Sequence, residues 1–276
     1  MKLCGFADEI APELDEQIKF CKANAVTHIE LRGVYGKNVL DFDKALRDEV
    51  KTKFNAKGLA VASIGSPIGK VKINEPWENH FARFKIAVDS AEFFGAPMIR
   101  IFSYYPADER DDIHRHREEV IRRMRAKVDF IKGRKITLIH ENEKAIYGEK
   151  GKDCLDLLKT VNSPQFRAAF DFGNFVQVGE NPLNNWPMLK PYAVHIHIKD
   201  VIAKEDRTVP AGQGDGHVEE VLVDLKNSGY TGCLSLEPHL KAAGPTSGFS
   251  GPSLFQTAVD ALKSLCKKNG IDLAGS

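Results

Sequence analysis

Short apolar segments alternate with longer amphipathic segments along this chain. In the longer segments, apolar residues recur every three or four positions, as Leu14, Ile18 and Cys21 do, and this period predicts helices. The short segments have the length and composition of buried strands. Eight of them follow one another: KLCGF (2–6), THIEL (27–31), LAVASIG (59–65), MIRIF (98–102), ITLIH (136–140), RAAFD (167–171), AVHIHI (193–198) and CLSLE (233–237).

The order of these segments predicts the fold class. Asn24, Gly58 and Gly95 each end a predicted helix just before a strand, as helix C-caps do. Eight strand–helix units in about 250 residues are typical of a (β/α)8 barrel. A doubly wound sheet would instead need a glycine-rich turn after the first strand, and FADEIAP (6–12) has no glycine. We therefore expect an α/β fold, a single (β/α)8 TIM barrel, with residues 1–276 forming one domain.

Composition narrows the class of protein further. The 276 residues include 39 Lys and Arg against 38 Asp and Glu, a formal net charge of +1, which argues against a surface for nucleic acid or membrane. No apolar run is long enough to span a bilayer, and the first residues, MKLCGFADEIAPE, turn acidic too soon for a signal peptide. Five cysteines without a CxxC motif indicate a reduced, cytoplasmic protein.

Metal-competent side chains lie at the ends of four consecutive predicted strands. Glu141, Asp171 and Glu237 end or follow the fifth, sixth and eighth strands, and His197 lies in the seventh. Active sites of these barrels lie at the carboxyl ends of the strands. Three carboxylates and one imidazole suit a divalent cation, so we expect one ion of Mn, Mg, Co or Zn.

Polar residues next to these four positions are candidates for substrate contacts. Lys199 lies two residues after His197 on the same strand face, and the pattern leaves open a substrate contact or an ion pair with Asp200. Of the other candidates, Arg32 ends the second strand, Asn142 follows Glu141, and His239 lies just past Glu237. The complete predicted substrate-binding set is Lys199, Arg32, Asn142 and His239.

Two charged residues are predicted to lie deeper in the barrel. Glu30 and Arg100 fall inside the second and fourth strands, and buried charges need partners. We therefore expect a structural Glu30–Arg100 ion pair, whose loss would lower stability and leave metal affinity nearly unchanged. Strand alternation predicts that His140 faces away from the barrel interior and that His195 points inward below the metal.

The motifs of the chain, in their order, resemble those of the xylose-isomerase-like TIM-barrel superfamily, the sugar phosphate isomerase/epimerase group that is related to AP endonuclease family 2. They are FADEIAP (6–12), IELRG (29–33), SIGSPIGK (63–70), LIHENE (138–143), FDFGNF (170–175), HIHIKD (195–200), PAGQGDG (210–216) and LSLEPHL (234–240). The resemblance implies that Glu141, Asp171, His197 and Glu237 bind the metal. It also implies that Glu141 and Glu237 are the catalytic pair that moves protons.

Departures from the family pattern change what the resemblance implies. Many epimerases of the family carry a histidine three residues after the aspartate, where this chain has Asn174. The related AP endonucleases need further histidines for three zinc ions, and this chain has Ser63 and Ser103 among those positions. We therefore expect one ion rather than three.

The resemblance implies a metal-dependent isomerase or epimerase that acts on a small carbohydrate or keto-polyol through an enediolate. A metal-dependent lyase or dehydratase on a keto-sugar or inosose is the main alternative, because it begins with the same proton removal. A nuclease and a non-catalytic binding barrel are the remaining alternatives. We expect a small-molecule carbohydrate partner and neither nucleic acid nor membrane, and a homo-oligomer stays open.

Overall fold

Eight parallel strands close into a barrel in which each strand pairs with its neighbours in the sequence. The computed structural model describes residues 1–243 and 248–274. The barrel strands are β1 (Lys2–Gly5), β2 (His28–Leu31), β3 (Ala60–Ile64), β4 (Met98–Ile101), β5 (Thr137–Glu141), β6 (Phe166–Asp171), β7 (Ala193–Ile198) and β8 (Cys233–Leu236). The predicted (β/α)8 TIM barrel is confirmed, and all eight predicted strands are present.

At least one helix follows each barrel strand. The helices are α1 (Leu14–Ala23), α2 (Lys44–Ala56), α3 (Trp77–Phe94), α4 (Arg117–Ile131), α5 (Gly151–Val161), α6 (Phe172–Gln177), α7 (Pro182–Leu189), α8 (Val218–Asn227) and α9 (Gly251–Lys268). The predicted caps hold, since Asn24 ends α1 and Gly95 ends α3 with a φ of 70° that favours glycine. None of the helices in the described ranges is long and apolar enough to cross a membrane.

Small and polar side chains lie inside the barrel, whereas the larger apolar residues pack between strands and helices. Cys4, Ala62 and Cys233 form a small buried cluster of their own, separate from the main core. The strand register places Asp171 of β6 directly opposite His197 of β7. The same register places Ser235 of β8 opposite His197 on the other side. The seventh strand is thus at the centre of the polar end of the barrel.

In the described ranges, three short antiparallel strand pairs follow the carboxyl ends of β2, β7 and β8. They are Gly33–Val34 with Lys37–Asn38, Asp200–Ile202 with Arg207–Val209, and Ala242–Ala243 with Gly248–Phe249. The glycine-rich segment 210–216 folds over the second hairpin, where the Asp200 carboxylate accepts the N–H groups of Gly212, Gly214 and Gly216 at 2.8, 3.0 and 2.9 Å. A Cβ atom on Gly214 would lie 2.5 Å from Asp200 Oδ1, so this position requires glycine.

His140 faces away from the barrel interior, as strand alternation predicts, and is buried behind β5. Its Nε2 lies 2.9 Å from Ser103 Oγ. Burial lowers the pKa of His140 from 6.5 to about 3, because it outweighs the opposing effect of the Glu141 carboxylate. The folded protein therefore keeps this ring neutral across the range in which an unfolded chain protonates it.

This difference predicts an acid-dependent loss of stability. Stability from neutral His140 is present above pH 6.5 and is lost progressively as pH falls towards 3, because only the unfolded chain binds the proton. Between pH 7 and pH 5 we expect about 2 kcal/mol of this contribution to disappear. Urea unfolding of wild type and His140→Asn at both pH values measures it: the variant should lose less stability on acidification, and an equal loss in both proteins would contradict the assignment.

Candidate metal centre

Glu141, Asp171, His197 and Glu237 come together at the carboxyl end of the barrel. One ligand atom of each lies within 4.8 Å of the ligand atoms of the others, and all four residues are buried. His197 Nδ1 is 3.3 Å from Glu141 Oε1, 3.4 Å from Glu237 Oε2 and 3.8 Å from Asp171 Oδ2. The four residues that the sequence predicts as ligands thus surround one point.

The ring of His197 is held by Glu30 from below. His197 Nε2 lies 3.1 Å from Glu30 Oε2, and the same oxygen lies 2.8 Å from His195 Nε2 and accepts a hydrogen bond from Ser235 Oγ at 2.9 Å. An ionised carboxylate only accepts hydrogen bonds, so His197 Nε2 carries a proton. Nδ1 therefore faces the three carboxylates.

Charge around His197 favours a cation at this point. Burial lowers the pKa of His197, but the carboxylates of Glu141 and Glu30 outweigh it and raise this pKa well above its usual value. Burial raises the pKa of Asp171 to about 6, although the Lys199 ammonium opposes the shift. Burial also opposes ionisation of Glu141, but His197 and Arg100 prevail and lower its pKa to about 2. The cluster thus attracts positive charge strongly.

Unsatisfied buried atoms test whether the donor set fits a metal ion. Asp171 Oδ2, His197 Nδ1 and Glu237 Oε2 are buried, and none of them has a hydrogen bond within the part of the chain that the structure describes. Asp171 Oδ2 does have an ion pair with Lys199 Nζ at 3.1 Å. Orphaned buried polar atoms are costly, and these three point at one another. A divalent cation bound among three carboxylates and one imidazole would satisfy all of them, so the residues fit such an ion.

Two arginines hold the carboxylate oxygens that face away from His197. Arg100 Nη1 donates to Glu141 Oε2 at 3.1 Å and to Glu237 Oε1 at 3.3 Å, and Arg32 Nη1 donates to the same Glu237 oxygen at 3.2 Å. Each glutamate thereby keeps its other oxygen towards His197. The prediction that Arg100 lies deep in the barrel beside Glu30 did not foresee that its side chain reaches these carboxylates.

The predicted Glu30–Arg100 ion pair is wrong. In the ranges that the structure describes, Glu30 pairs with His195 and His197, and Arg100 pairs with Glu141 and Glu237. The two histidines of β7 offer N–H donors at the depth of Glu30, whereas the long arginine side chain reaches up to the carboxylates. Glu30 is therefore linked to the four predicted metal ligands through His197.

This contact changes the expected effect of replacing Glu30. Glu30→Gln weakens the acceptor that holds His197 Nε2, and loss of such a contact typically lowers metal affinity about 10- to 100-fold. Calorimetric titration with Mn²⁺ measures the change. Ser235→Ala is the matched control, since it removes another contact of the same Glu30 oxygen and leaves His197 in place. Unchanged affinity in Glu30→Gln would show that Glu30 is purely structural.

Lys199 lies in the cluster rather than on the rim. Its Nζ is 3.1 Å from Asp171 Oδ2 and 3.8 Å from Glu237 Oε2. The alternative pairing with Asp200 is wrong, because the Asp200 carboxylate binds the backbone of the glycine-rich segment instead. Lys199 is thus a buried cation beside two of the predicted ligands.

The other predicted substrate-binding residues lie around the same centre. Arg32 is buried and donates from Nε to Asp8 at 2.7 Å and from Nη2 to the Gly248 carbonyl at 3.2 Å. The side chain of Asn142 is engaged by the backbone of Asp171: its Nδ2 donates to the carbonyl and its Oδ1 accepts the N–H, both at 2.9 Å. Asn142 thus holds the end of β6.

His239 completes an outer group with two carboxylates. Its Nε2 lies 3.2 Å from Glu9 Oε1 and 3.5 Å from Glu237 Oε1. Burial opposes its protonation, yet Glu9 and Glu237 prevail and raise its pKa to about 9. Glu9 was missed by the sequence reasoning because it lies in a short helical turn after β1 rather than at a strand end. Its place in FADEIAP (6–12) was the available signal.

Asn174, at the position where many epimerases of the resembling family have histidine, supports the predicted ligands. Its Nδ2 donates to Glu141 Oε1 at 3.1 Å and to the carbonyl of Asn142 at 2.8 Å. Its backbone N–H donates to Asp171 Oδ1 at 2.7 Å, which caps α6. Asn174 therefore orients two carboxylates of the cluster, Glu141 through its side chain and Asp171 through its backbone.

Comparison with known families agrees with this architecture. A model of the family described as xylose isomerase-like TIM barrel matches residues 18–265. The chain belongs to this family. The family assignment confirms the resemblance that the sequence motifs carry.

Individual relatives are distant. The 3-dehydroshikimate dehydratase of Bacillus anthracis is 18% identical over 239 residues, which cover 80% of this chain and 85% of the relative. The crystal structure of the probable 3-DHS dehydratase AsbF from Bacillus anthracis has a TM-score of 0.77 at 16% identity, covering 95% of this chain and 99% of that one. A D-tagatose 3-epimerase-like protein has a TM-score of 0.77 at 15% identity, covering 98% of both chains. These likenesses establish the fold of this xylose isomerase-like barrel.

Proposed function

We propose that this xylose isomerase-like barrel is a divalent-metal-dependent isomerase or epimerase that acts on a small carbohydrate or keto-polyol. The observation that carries the proposal is the convergence of Asp171 Oδ2, His197 Nδ1 and Glu237 Oε2, three buried atoms that make no hydrogen bond to any described residue. Glu141 completes the ligand set. The similarity to a D-tagatose 3-epimerase-like protein supports a carbohydrate substrate.

The reaction in this proposal begins with removal of a proton next to a carbonyl. A divalent cation held by the four residues would supply Lewis-acid polarisation of that carbonyl. Glu141 ends β5 and Glu237 follows β8, so the two carboxylates approach the centre from strands that are separated by β6 and β7. One takes the proton and the other returns it, on the opposite face for epimerisation or at the adjacent carbon for isomerisation.

The surrounding cations keep this carboxylate pair in position. Arg100 holds one oxygen of each glutamate, which leaves the other oxygen of each directed at the centre. Lys199 Nζ lies 3.1 Å from Asp171 Oδ2 and 3.8 Å from Glu237 Oε2, and in this proposal it donates to a substrate oxygen there. Arg32 and His239 flank the outer oxygen of Glu237. These residues orient charge before substrate arrives.

Dehydration is the second candidate. A dehydratase is the curated relative that matches 80% of this chain. Many epimerases of the family have a histidine where this chain has Asn174, and this difference also favours dehydration. The Asn174 side chain instead donates to Glu141 and to the Asn142 carbonyl. Loss of a β-hydroxyl after the same proton removal needs a proton donor near Glu237, and Lys199 and His239 are cations at that place.

We further propose a cytoplasmic protein whose partner is this small molecule and neither nucleic acid nor membrane. Five free, buried cysteines support a reducing compartment. One divalent ion fits better than three zinc ions, because Ser63 and Ser103 stand where the three-zinc relatives need histidine ligands. Ser63 is buried among the barrel strands, and Ser103 Oγ bonds to His140 and to the backbone N–H of Gly148.

Proton exchange tests the proposed function directly. Protein loaded with Mn²⁺ is incubated in D₂O with ketohexoses, 3-keto-glycosides, inosose and 3-dehydroshikimate, and NMR follows each C–H signal. Deuterium uptake with a new epimer or isomer supports the first candidate, and loss of water with a new ultraviolet absorption supports the second. No exchange in any of these compounds, with metal content verified, would contradict both.

A further inference from the structure

A cavity of about 510 Å³ opens at the barrel mouth, on the half that the four predicted metal ligands do not occupy. Its walls come from the segments that follow β1, β2 and β3, together with Gly248 and Phe249 of the last hairpin. The four predicted metal ligands, by contrast, lie on β5, β6 and β7 and directly after β8. The volume lies in the range of about 300–1,000 Å³ that is typical of small-molecule sites.

Arg32 lies between this cavity and the predicted metal ligand Glu237. Its side chain lines the cavity, while its Nη1 lies 3.2 Å from Glu237 Oε1. Asp8 lines the cavity as well and pairs with Arg32 Nε at 2.7 Å. A molecule bound in the cavity is therefore one side chain away from the proposed reacting centre.

The charged groups that line the cavity are all ion-paired, although one acidic partner, Asp43, lies outside the lining. Each lining cation has an acidic partner: Arg32 with Asp8 at 2.7 Å, Arg83 with Asp41 at 2.8 Å, and Lys37 with Asp43 at 3.6 Å. A phosphate or carboxylate would need a cation that is not already balanced by an acid. The paired groups and Asn38 instead offer hydrogen-bond donors and acceptors side by side, as an uncharged polyol requires.

Apolar surface completes the lining. Phe249 is half-buried and Val34 is buried, and Pro12 and Pro67 contribute further apolar atoms. A sugar ring presents C–H groups on its faces and hydroxyl groups around its edge. Alternating apolar and paired polar groups match that distribution better than they match a purely apolar molecule.

We propose that this cavity, here called the distal subsite, binds a second, uncharged polyhydroxylated ring that is covalently joined to the reacting unit. The substrate is then a glycoside of a keto-sugar rather than a free monosaccharide or a sugar phosphate. This inference rests on the proposed function for the reacting unit, which lies at Glu141 and Glu237. Arg32 lies at the boundary between the two units.

A plug in the distal subsite tests the inference. Lys37 lines the cavity with its side chain 53% exposed, so Lys37→Trp fills the opening without disturbing the core. Lys44→Trp is the matched control, because Lys44 is 90% exposed at the start of α2 and does not line the cavity. Deuterium exchange is measured with Mn²⁺ for 3-keto-cellobiose, which has two rings, and for 3-keto-glucose, which has one.

The expected result is a KM for the two-ring compound about tenfold below that for the one-ring compound, the effect of roughly two hydrogen bonds. Lys37→Trp should abolish this ratio, and Lys44→Trp should preserve it. Equal KM values in wild type, or an unchanged ratio in Lys37→Trp, would overturn the inference. A lower KM for 3-keto-glucose 6-phosphate than for 3-keto-cellobiose would overturn the uncharged character of the subsite.

A binding measurement separates failure of the subsite from failure of the proposed function. If no compound exchanges, the proposed reaction fails, and saturation-transfer NMR with cellobiose then tests the subsite alone. Transfer from the wild type and Lys44→Trp that is lost in Lys37→Trp would support the distal subsite. Equal transfer in all three proteins, or none in the wild type, would overturn it.

Discussion

Replacing Glu237 by glutamine will lower deuterium incorporation into substrate by about 10²- to 10⁴-fold, the usual contribution of a positioned base. The amide keeps an oxygen near His197 Nδ1, which lies 3.4 Å from Glu237 Oε2, but it no longer accepts a proton. Metal content therefore stays measurable in the variant. Exchange is followed by NMR in D₂O with Mn²⁺ bound.

Glu143→Gln is the matched control for this prediction. Glu143 follows the same strand as Glu141 but pairs with Lys70 at 2.7 Å, away from the four predicted ligands. Its replacement should change exchange far less than that of Glu237. Undiminished exchange in Glu237→Gln with metal in place would mean that the base is another group, and Lys199 or His239 would be tested next.

Mn²⁺ at about 100 times its dissociation constant will stabilise the wild-type protein by about 2.7 kcal/mol, since it binds only the folded chain. For a domain of this size the melting temperature should rise by about 5–10 °C. In His197→Asn the rise should disappear, because the nitrogen that faces all three carboxylates is lost. Differential scanning calorimetry with and without Mn²⁺ measures both values.

His195→Asn provides the comparison on the same strand. His195 is as deeply buried as His197 and also pairs with Glu30, but it does not belong to the four-residue cluster. Its replacement lowers the stability of the protein while preserving most of the Mn²⁺-dependent rise. A full rise in His197→Asn would contradict the assignment of this residue as a ligand.

The strand positions and the four clustered residues could be predicted from sequence because they follow strict periodicities. Side chains alternate along a strand, and parallel strands of a barrel end at one face, so Glu141, Asp171 and His197 meet there without any knowledge of loops. Glu237 is directed to the same place by the pairing of β8 with β7. Periodic elements thus carry most of the site.

The contacts of long side chains could not be predicted in this way. Alternation shows that Glu30 and Arg100 face inward, but it does not show how far each side chain reaches. Glu30 stays at the level of His195, whereas Arg100 extends to Glu141 and is stacked on the rings of Phe6 and Phe102 at 4.8 and 5.0 Å. Glu9 and Asn38 lie in segments without a periodic pattern, so only the folded chain places them.

Anomalous scattering from Mn²⁺-soaked crystals will show where the protein binds a divalent ion. We expect a single protein-bound manganese peak, within coordination distance of Glu141, Asp171, His197 and Glu237, where His197 Nδ1 faces the three carboxylates. A peak at any other place, or a second peak held by protein side chains, would contradict it.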